Sequence, residues 1–216
     1  MAKVVVFGIG QLAEVAHFYL THDSPHDVAA FTVDSEYLKA DQHLGVPTVA
    51  FDLVHEIYPP DDFRMFVPVG YGNRNRNREL KYRQAKEKGY ELITYICSRA
   101  VTWPGLSVGE NSFIFESNVI QPYARIGNNV ILWSGNHIGH HSTIGDHCFL
   151  ASHVVVSGSV VIEPFCFVGV NATIRDNIRI ARECIIGAGS LILKDTEAGG
   201  IYSGRPAQLL PPRQDT

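Results

Sequence analysis

Histidine is the side chain best suited to proton transfer at neutral pH, and in this sequence it is concentrated in one stretch. Ten histidines are present, and five of them fall between positions 137 and 153. Because imidazole titrates near neutrality, one of these side chains could act as a general base, and several together could bind a metal ion. A third interpretation is that they are surface residues without a role. The five are His137, His140, His141, His147 and His153.

Cysteine is the other reactive side chain with a regular spacing. Cys148, Cys166 and Cys184 lie eighteen residues apart, and Cys97 stands alone. No two cysteines form a C-x-x-C pair, so neither a zinc-finger motif nor a redox motif is indicated. Buried free cysteine usually behaves as a small hydrophobic residue. We therefore predict that the three evenly spaced cysteines form a column of reduced, buried thiols.

Both spacings follow from a six-residue repeat in the C-terminal half of the chain. Starting at Val108, every sixth residue is Val, Ile or Leu, without an insertion. This period predicts a short strand and a turn in each unit, with three units closing one triangular coil of eighteen residues. The fifteen units give five coils, which would stack into a rod on the order of 24 Å long. The repeated positions are Val108, Ile114, Ile120, Ile126, Leu132, Ile138, Ile144, Leu150, Val156, Ile162, Val168, Ile174, Ile180, Ile186 and Ile192.

Two further positions of each unit are restricted. The residue directly after the aliphatic one is often glycine, which we expect at a tight corner. The fourth residue after the aliphatic one is mostly small or medium-sized, as at Ser112, Ala124 and Ala172. This residue is predicted to point inward as well, because a narrow triangular interior leaves little room for a larger side chain.

The eighteen-residue coil also predicts which residues are neighbours on adjacent coils. His140 should lie beside Gly158, and Asp176 and Lys194 should continue the same column. An imidazole there could take a proton from an attacking amine or hydroxyl, while the backbone N–H of Gly158 stabilises a developing oxyanion. This pair of groups favours acyl transfer. No Ser-His-Asp or Cys-His pattern is evident, so direct transfer is favoured over an acyl-enzyme.

The first 98 residues alternate β and α patterns, which is typical of a small parallel sheet in a Rossmann-like half-fold. The first predicted strand ends in Gly8-x-Gly10-Gln11-x-Ala13, and Asp34 follows the second. Because glycines let a phosphate approach a helix start, this turn is predicted to bind the diphosphate of a nucleotide-sugar, and Gly8, Gly10, Gln11 and Asp34 are the predicted substrate-binding residues. The alternative is a tight strand-to-helix turn that binds nothing. The predicted strands are 3–8, 28–33, 47–51, 65–69 and 92–96, and the predicted helices are 14–20, 53–57 and 74–88.

Composition and charge narrow the possible partners. The chain has 216 residues, 45% of them hydrophobic and 19% charged, with a formal net charge of −4. A packed protein is therefore expected, and nucleic-acid binding is not. The one dense basic run, within 74–88, is interpreted as a solvated helix face. No membrane span or signal peptide is evident, which predicts a cytoplasmic protein. We expect two domains, 1–98 and 99–216, with the rod opening at Val108.

The order of these parts resembles the sialic-acid and bacillosamine type of sugar O- and N-acetyltransferases. The resemblance is carried by the glycine-rich first turn, Asp34, the hexapeptides, the histidine in NHIGHHSTIG and the Gly-x-Pro-Ala pattern in YSGRPAQLL. It implies an α/β N-terminal Rossmann-like half domain that binds a nucleotide-sugar, followed by a left-handed parallel β-helix. It also implies a homotrimer that binds acetyl-CoA between neighbouring subunits.

The same resemblance implies roles for individual residues. His140 aligns with the general base of the family, and Gly158 with the glycine whose N–H binds the thioester carbonyl. Val170 and Ala188 lie where the family binds the pantetheine arm of acetyl-CoA. Lys194 is a candidate contact of a CoA phosphate, and a solvated lysine is the alternative.

Two positions depart from the pattern of the family. A carboxylate often follows the base directly, but here that position is His141. This makes His141 a candidate catalytic partner and leaves open what polarises His140. The usual Gly-Gly-His of the first turn is Gly10-Gln11-Leu12 in this chain, so contacts to the diphosphate and the sugar are expected to differ.

The expected function is acetyl-CoA-dependent N-acetylation of a nucleotide-linked amino sugar, of the kind used in bacterial surface polysaccharides. O-acetylation of a sugar hydroxyl is the alternative, because the sequence does not separate the two acceptors. A zinc enzyme similar to γ-class carbonic anhydrases would need histidines from well-separated coils, whereas here they crowd into one coil, so no metal site is predicted. A non-catalytic scaffold is the fourth hypothesis.

Overall fold

The computed structural model describes residues 1–204, and the first part of that range is an α/β unit. The order across its sheet is β3-β4-β2-β1-β5. Neighbouring strands are parallel except β3, which runs antiparallel to β4. The parallel strands thus follow the order with which doubly wound nucleotide-binding sheets begin. The elements are β1 (Lys3–Phe7), α1 (Gln11–His22), β2 (Asp27–Val33), a 3₁₀ turn (Ser35–Tyr37), β3 (Gln42–His43), β4 (Val46–Ala50), α2 (Val54–Ile57), β5 (Phe63–Phe66) and α3 (Arg76–Glu87).

The segment 92–96, predicted as a strand of this sheet, instead joins the two parts of the chain. Leu92 makes a single parallel bridge to Met65 of β5. Tyr95–Ile96 pairs with Phe113–Ile114 of the repeat, so the first coil begins before Val108. The two ends of one short segment therefore bond to different sheets, and no linker separates them.

The rest of the described chain is a parallel β-helix with three sheets, named here in chain order. Neighbouring strands lie eighteen residues apart and in register, as at Arg125↔Thr143. Sheet I consists of Tyr95–Ile96, Phe113–Ile114, Ile131–Leu132, Phe149–Leu150, Phe167–Val168, Ile185–Ile186 and, closing it, Ile201–Tyr202. Sheet II consists of Val119–Ile120, His137–Ile138, Val155–Val156, Thr173–Ile174 and Leu191–Ile192. Sheet III consists of Ser107–Val108, Arg125–Ile126, Thr143–Ile144, Val161–Ile162 and Arg179–Ile180.

The interior of the β-helix contains the side chains that the repeat predicts. Every repeated aliphatic residue after Val108 is buried, and so is the residue four positions after each, as far as Ser190. Cys148, Cys166 and Cys184 are buried and unpaired, as expected for a column of thiols. A hydrogen bond with the Cys148 thiol and burial both raise the pKa of Cys166, so this sulfur stays a neutral thiol.

The corners of the coil lie three residues after each aliphatic position, so the prediction that the glycines directly after the aliphatic residues form them is wrong. Left-handed backbone recurs at the third position, for example at Asn129 (φ 56°) and His141 (φ 60°). The glycines directly after the aliphatic residues have another role. A Cβ on Gly139 would lie 2.5 Å from the backbone of Ser157. Glycine is needed there because the next coil approaches too closely for a side chain.

Helix α3 packs against the corner between sheets III and I, so its basic run is only in part the predicted solvated face: Arg83 and Lys86 are exposed, but Arg78 is not. Arg78 is fully buried, and its guanidinium donates to the carbonyls of Asn129 (3.1 Å), His147 (2.8 Å) and Cys148 (3.1 Å). Asn75 donates to two further carbonyls of the next coil. Burial lowers the pKa of Arg78 to about 9, which still leaves it charged at neutral pH. A coil corner presents backbone carbonyls, and the donors of a guanidinium satisfy several at once.

Candidate active site

His140 and Gly158 meet at the corner between sheets II and III, as the eighteen-residue column predicts. His140 is exposed, and its ring lies directly over Gly158. A Cβ on Gly158 would lie 2.6 Å from Cε1 and 2.7 Å from Nε2 of the imidazole. The absence of a side chain at position 158 is therefore what lets the ring occupy this place. The corner column consists of Pro122, His140, Gly158, Asp176 and Lys194.

The backbone N–H of Gly158 has no acceptor within residues 1–204. At the corner between sheets III and I, two equivalent N–H groups are capped by side chains of the next coil. Glu110 N–H donates to Asn128 Oδ1 at 3.0 Å, and Asn128 N–H donates to Asp146 Oδ1 at 2.7 Å. Asp176 occupies the capping position for Gly158, but its carboxylate accepts a hydrogen bond from the following side chain instead. The Gly158 N–H can therefore bind the oxygen of a ligand beside His140.

Two contacts fix the orientation of His140. Its backbone N–H donates to Gln121 Oε1 at 2.9 Å, and its Nδ1 lies 3.1 Å from Nδ1 of His141. A hydrogen bond between two imidazole nitrogens needs a proton on one and a lone pair on the other. The ring of His141 in turn packs on Tyr123, with ring centres 4.7 Å apart. Thus His141, in the place of the expected carboxylate, is the side chain that contacts Nδ1 of the imidazole.

The residues implied for acetyl-CoA binding are divided between two corners. Gly158 and the exposed Lys194 share the column of His140. Val170 and Ala188 lie at the corner between sheets I and II, where they line a cavity of about 500 Å³. The two corners lie at the opposite ends of the short strands of sheet II. The predicted group of four is therefore not brought together within one chain.

Three of the residues predicted to bind the nucleotide-sugar line one cavity. Gly8, Gly10 and Asp34 surround a space of about 330 Å³ at the carboxyl ends of β1 and β2. Gly8 has φ 102°, a backbone conformation that disfavours any side chain. A Cβ on Gly10 would meet no atom within 4 Å, so the fold itself does not require glycine there. Asp34 forms a 2.6 Å ion pair with Lys81 of α3.

Gln11 lines a different cavity, between α1 and the β-helix. This space of about 540 Å³ is also lined by Tyr71, Trp133 and Phe149. The same three aromatic residues line the cavity at Val170, so the two spaces form one continuous feature, here called the interdomain groove. Sequence reasoning missed this groove. The available signal was a tryptophan directly after an aliphatic position, where glycine recurs in other units.

The remaining histidines lie apart from His140. His147 is half-buried: its Nδ1 is 2.9 Å from Asn129 Nδ2, and burial lowers the pKa of the imidazole. His137 is partly buried and His153 is exposed. Within residues 1–204, no three His, Cys, Asp or Glu side chains are grouped as metal ligands.

The described part of the chain also contains no helix with the length and apolar character needed to span a membrane. Most of the Gly-x-Pro-Ala pattern in the tail, residues 205–207, lies outside the described residues.

Comparison with known proteins finds a family model that matches part of the repeat. The family described as bacterial transferase hexapeptide (six repeats) matches residues 123–158 and 159–194. A search of curated proteins finds no sequence match. Among solved structures, perosamine N-acetyltransferase from Caulobacter crescentus, in complex with CoA and GDP-perosamine, has a TM-score of 0.85 and 27% identity over 98% of both chains.

Two further solved structures share the fold. The acetyltransferase domain of PglB from Neisseria gonorrhoeae has a TM-score of 0.81 and 22% identity, covering 97% of this chain and 100% of that one. WeeI from Acinetobacter baumannii has a TM-score of 0.79 and 19% identity, with the same coverage of 97% and 100%. The likeness extends over both parts of the chain. The chain is thus similar over almost its whole length to sugar N-acetyltransferases, and its repeat matches the bacterial transferase hexapeptide model, which together indicate an acyltransferase.

Proposed function

We propose that this enzyme transfers the acetyl group of acetyl-CoA to the amino group of a nucleotide-linked sugar, with His140 as general base. One observation carries the proposal: an exposed imidazole lies over a glycine whose N–H has no acceptor within residues 1–204. Direct acyl transfer needs both a base for the nucleophile and a donor for the carbonyl oxygen. The perosamine enzyme, solved with CoA and GDP-perosamine, supports this pair of substrates.

In the proposed reaction, the neutral amine attacks the thioester carbonyl carbon and a C–N bond forms. The carbonyl oxygen becomes an oxyanion that accepts a hydrogen bond from the Gly158 N–H. Nε2 of His140 takes the proton that the amine loses. The C–S bond then breaks as the oxyanion collapses, and the imidazolium returns the proton to the sulfur of the departing CoA.

His141 holds His140 in the tautomer that this step needs. When Nδ1 of His140 carries the proton and donates to Nδ1 of His141, the lone pair of Nε2 faces Gly158. The same hydrogen bond persists when His140 becomes an imidazolium. A neutral imidazole is a weaker acceptor than a carboxylate, so we assign His141 a smaller contribution than a carboxylate would make.

Acetyl-CoA is placed between neighbouring chains of a homotrimer. The corner with Gly158 and Lys194 and the corner with Val170 and Ala188 lie at the opposite ends of the short strands of sheet II. If the sheets II of three chains face a common axis, the first corner of one chain meets the second corner of the next. The outer face of sheet II is apolar and exposed, as an interface surface would be. Its exposed residues are Val119, Val155 and Leu191, and Val101 extends the face through a single parallel bridge to Val119.

A charge on this face tests the trimer. Val155→Asp is expected to dissociate the oligomer and abolish activity, because it places a carboxylate in the proposed interface. Val161→Asp is the matched control, since Val161 is 43% exposed on sheet III and Val155 is 39% exposed on sheet II. Analytical ultracentrifugation measures both. Equal behaviour of the two variants would contradict the assignment of sheet II.

The nucleotide-sugar is placed at Gly8, Gly10 and Asp34, with Gln11 beside the path of the sugar. The N-terminus of α1 starts at this turn, and its unpaired N–H groups favour a diphosphate. The interdomain groove leads from α1 to the corner between sheets I and II. In the proposed trimer, this corner faces His140 of the next chain, so the sugar held by one chain reaches the base of another.

A product assay tests the function. The protein is mixed with acetyl-CoA and a panel of UDP-, GDP- and dTDP-linked amino sugars, and products are identified by mass spectrometry. We expect CoA release together with one added acetyl group that resists hydroxylamine, as an amide does. An acetyl group that hydroxylamine removes would show O-acetylation instead. A folded, CoA-binding protein that releases CoA with no member of the panel would contradict the proposal.

A further inference from the structure

A further cavity lies on the same corner as His140, on the side away from Gly158. It has a volume of about 360 Å³, and its lining includes Trp103, Gln121 and Tyr123. This space is here called the corner cavity. Gln121 and Tyr123 belong to the coil before the imidazole, whereas Gly158 belongs to the coil after it. His140 therefore belongs to the coil between the corner cavity and the open N–H, although it does not itself line the cavity.

The corner cavity shares two of its walls with the support of the base. Gln121 Oε1 accepts the backbone N–H of His140, and the ring of Tyr123 packs on the ring of His141. The Gln121 amide NH₂ donates to no group within residues 1–204, so it can donate to a hydroxyl of a ligand. A molecule in this cavity would thus touch the residues that hold the imidazole pair.

Tyr123 is an unusual residue for its position. Its backbone is left-handed, with φ 67°, a conformation that favours asparagine or glycine and that Asn111 adopts at another corner. Phe165 shares this conformation, but the guanidinium of Arg76 covers its ring at 3.8 Å from the ring centre. Tyr123 is 75% exposed and Trp103 is 56% exposed. Within a single chain, both aromatic side chains are therefore largely uncovered.

The chemistry of the lining narrows the class of ligand. No charged side chain of the described residues lines the corner cavity. It therefore does not suit the diphosphate of a nucleotide or the phosphates of CoA, which need cations or helix N-termini. Aromatic rings offer broad apolar faces with a specific geometry, and one amide offers a hydrogen bond. The face of a sugar ring, apolar in its C–H bonds and rimmed by hydroxyls, fits both.

We propose that the corner cavity is the subsite for the acceptor sugar ring, with Trp103 and Tyr123 packing on its apolar face and Gln121 bonding to a hydroxyl. The inference rests on the proposed acetyl transfer. It orders the reactants along one corner, with the sugar on the coil before His140 and the thioester on the coil after it. The amine of the sugar then reaches Nε2 on the Gly158 side of the ring, where the carbonyl carbon of the thioester is held.

Two substitutions test the subsite, Trp103→Ala and Tyr123→Asn. Asparagine suits left-handed backbone, so the coil should stay intact. Each variant is expected to raise the KM for the accepted nucleotide-linked amino sugar by about tenfold, the size of a lost aromatic contact, without changing the KM for acetyl-CoA. Tyr123→Asn should also lower kcat, because it removes the support of His141, whereas Trp103→Ala should leave kcat unchanged.

Two control variants test whether a change in KM is specific to the corner cavity. Tyr123→Phe keeps the ring and is expected to keep both KM values. Phe18→Ala removes a ring of 58% exposure on α1 and is expected to change neither. An unchanged KM for the sugar in Trp103→Ala and Tyr123→Asn would overturn the subsite, as would an equal rise in both KM values. If the wild-type protein binds CoA but acetylates none of the UDP-, GDP- and dTDP-linked amino sugars, the proposed function fails first and the subsite falls with it.

Discussion

Two corners of the same coil are built from one repeat and use their polar groups in opposite ways. Between sheets III and I, side chains of the next coil cap the N–H groups of Glu110 and Asn128, and Arg78 with Asn75 binds backbone carbonyls. Between sheets II and III, the N–H of Gly158 is unpaired within residues 1–204 and His140 is exposed. The first corner joins two domains. The second keeps a donor and a base available to a ligand, which is what chemistry requires of it.

The contrast shows where function appears in a regular repeat. Within residues 1–204 the N–H at this place of the repeat is capped at Asn128 and His140 but not at Asp146 or Gly158. What distinguishes Gly158 is therefore the imidazole of His140 over an open N–H, where Asp176 bonds to its neighbour instead of capping it. Substitutions at one corner or the other should accordingly separate activity from stability.

Removing the imidazole should have the largest effect. His140→Ala is expected to lower kcat by about 10²–10⁴, the usual contribution of a general base. The melting temperature should not change, because the side chain is exposed. His55→Ala, an exposed histidine on α2, is the control and should keep kcat. Normal steady-state turnover by His140→Ala would remove the proposed base.

Removing the buried guanidinium should affect stability strongly. Arg78→Met leaves several buried carbonyls without a donor, which is expected to cost about 3 kcal/mol or more, at 1–3 kcal/mol for each unsatisfied group. Arg83→Met on the same helix is the control. Arg83 is exposed and pairs only with Glu79 and Glu87 at (i, i+4) spacing, so a change within about 0.5 kcal/mol is expected. Denaturant unfolding of both variants measures the difference, and equal values would show that α3 does not hold the corner.

Replacing Gly158 or Gly139 with alanine should separate activity from stability. In Gly158→Ala, the new Cβ displaces only the His140 ring, so kcat/KM should fall by about 10²-fold, comparable to losing one oxyanion donor, while the fold persists. In Gly139→Ala, the new Cβ meets backbone of the next coil, so the melting temperature should fall. Kinetics and thermal unfolding of the pair test this. A loss of stability in Gly158→Ala as large as that in Gly139→Ala would contradict it.

Changing the partner of the base should have the smallest effect. His141→Asn is tolerated by the left-handed backbone but removes the ring that bonds to Nδ1 of His140. A fall in kcat of about tenfold is expected, in line with one hydrogen bond of about 1 kcal/mol. His141→Glu supplies a stronger acceptor and should recover that loss. Equal turnover by wild type and His141→Asn would show that His141 has no part in catalysis.

The repeat made much of the β-helix predictable, because one period sets strand spacing, burial and register together. It predicted the buried aliphatic positions, the thiol column and the contact between His140 and Gly158. It misplaced the corner, because glycine recurs for two physical reasons and close approach of the next coil, as at Gly139, is not left-handed backbone. The burial of Arg78 in the basic run of α3 was not predicted, because charge composition does not reveal which side chains lie opposite backbone carbonyls.

By itself, the sequence determined that residues eighteen apart are neighbours, since the hexapeptide period leaves a parallel coil only one register. Only the tertiary structure decided that the Gly158 N–H lacks a cap, that His141 contacts the base, and that the proposed cofactor residues lie at opposite ends of the strands of sheet II. These features depend on side-chain direction and on how one element packs against another. A period along the chain specifies where a residue lies, but not which way its side chain turns or what meets it there.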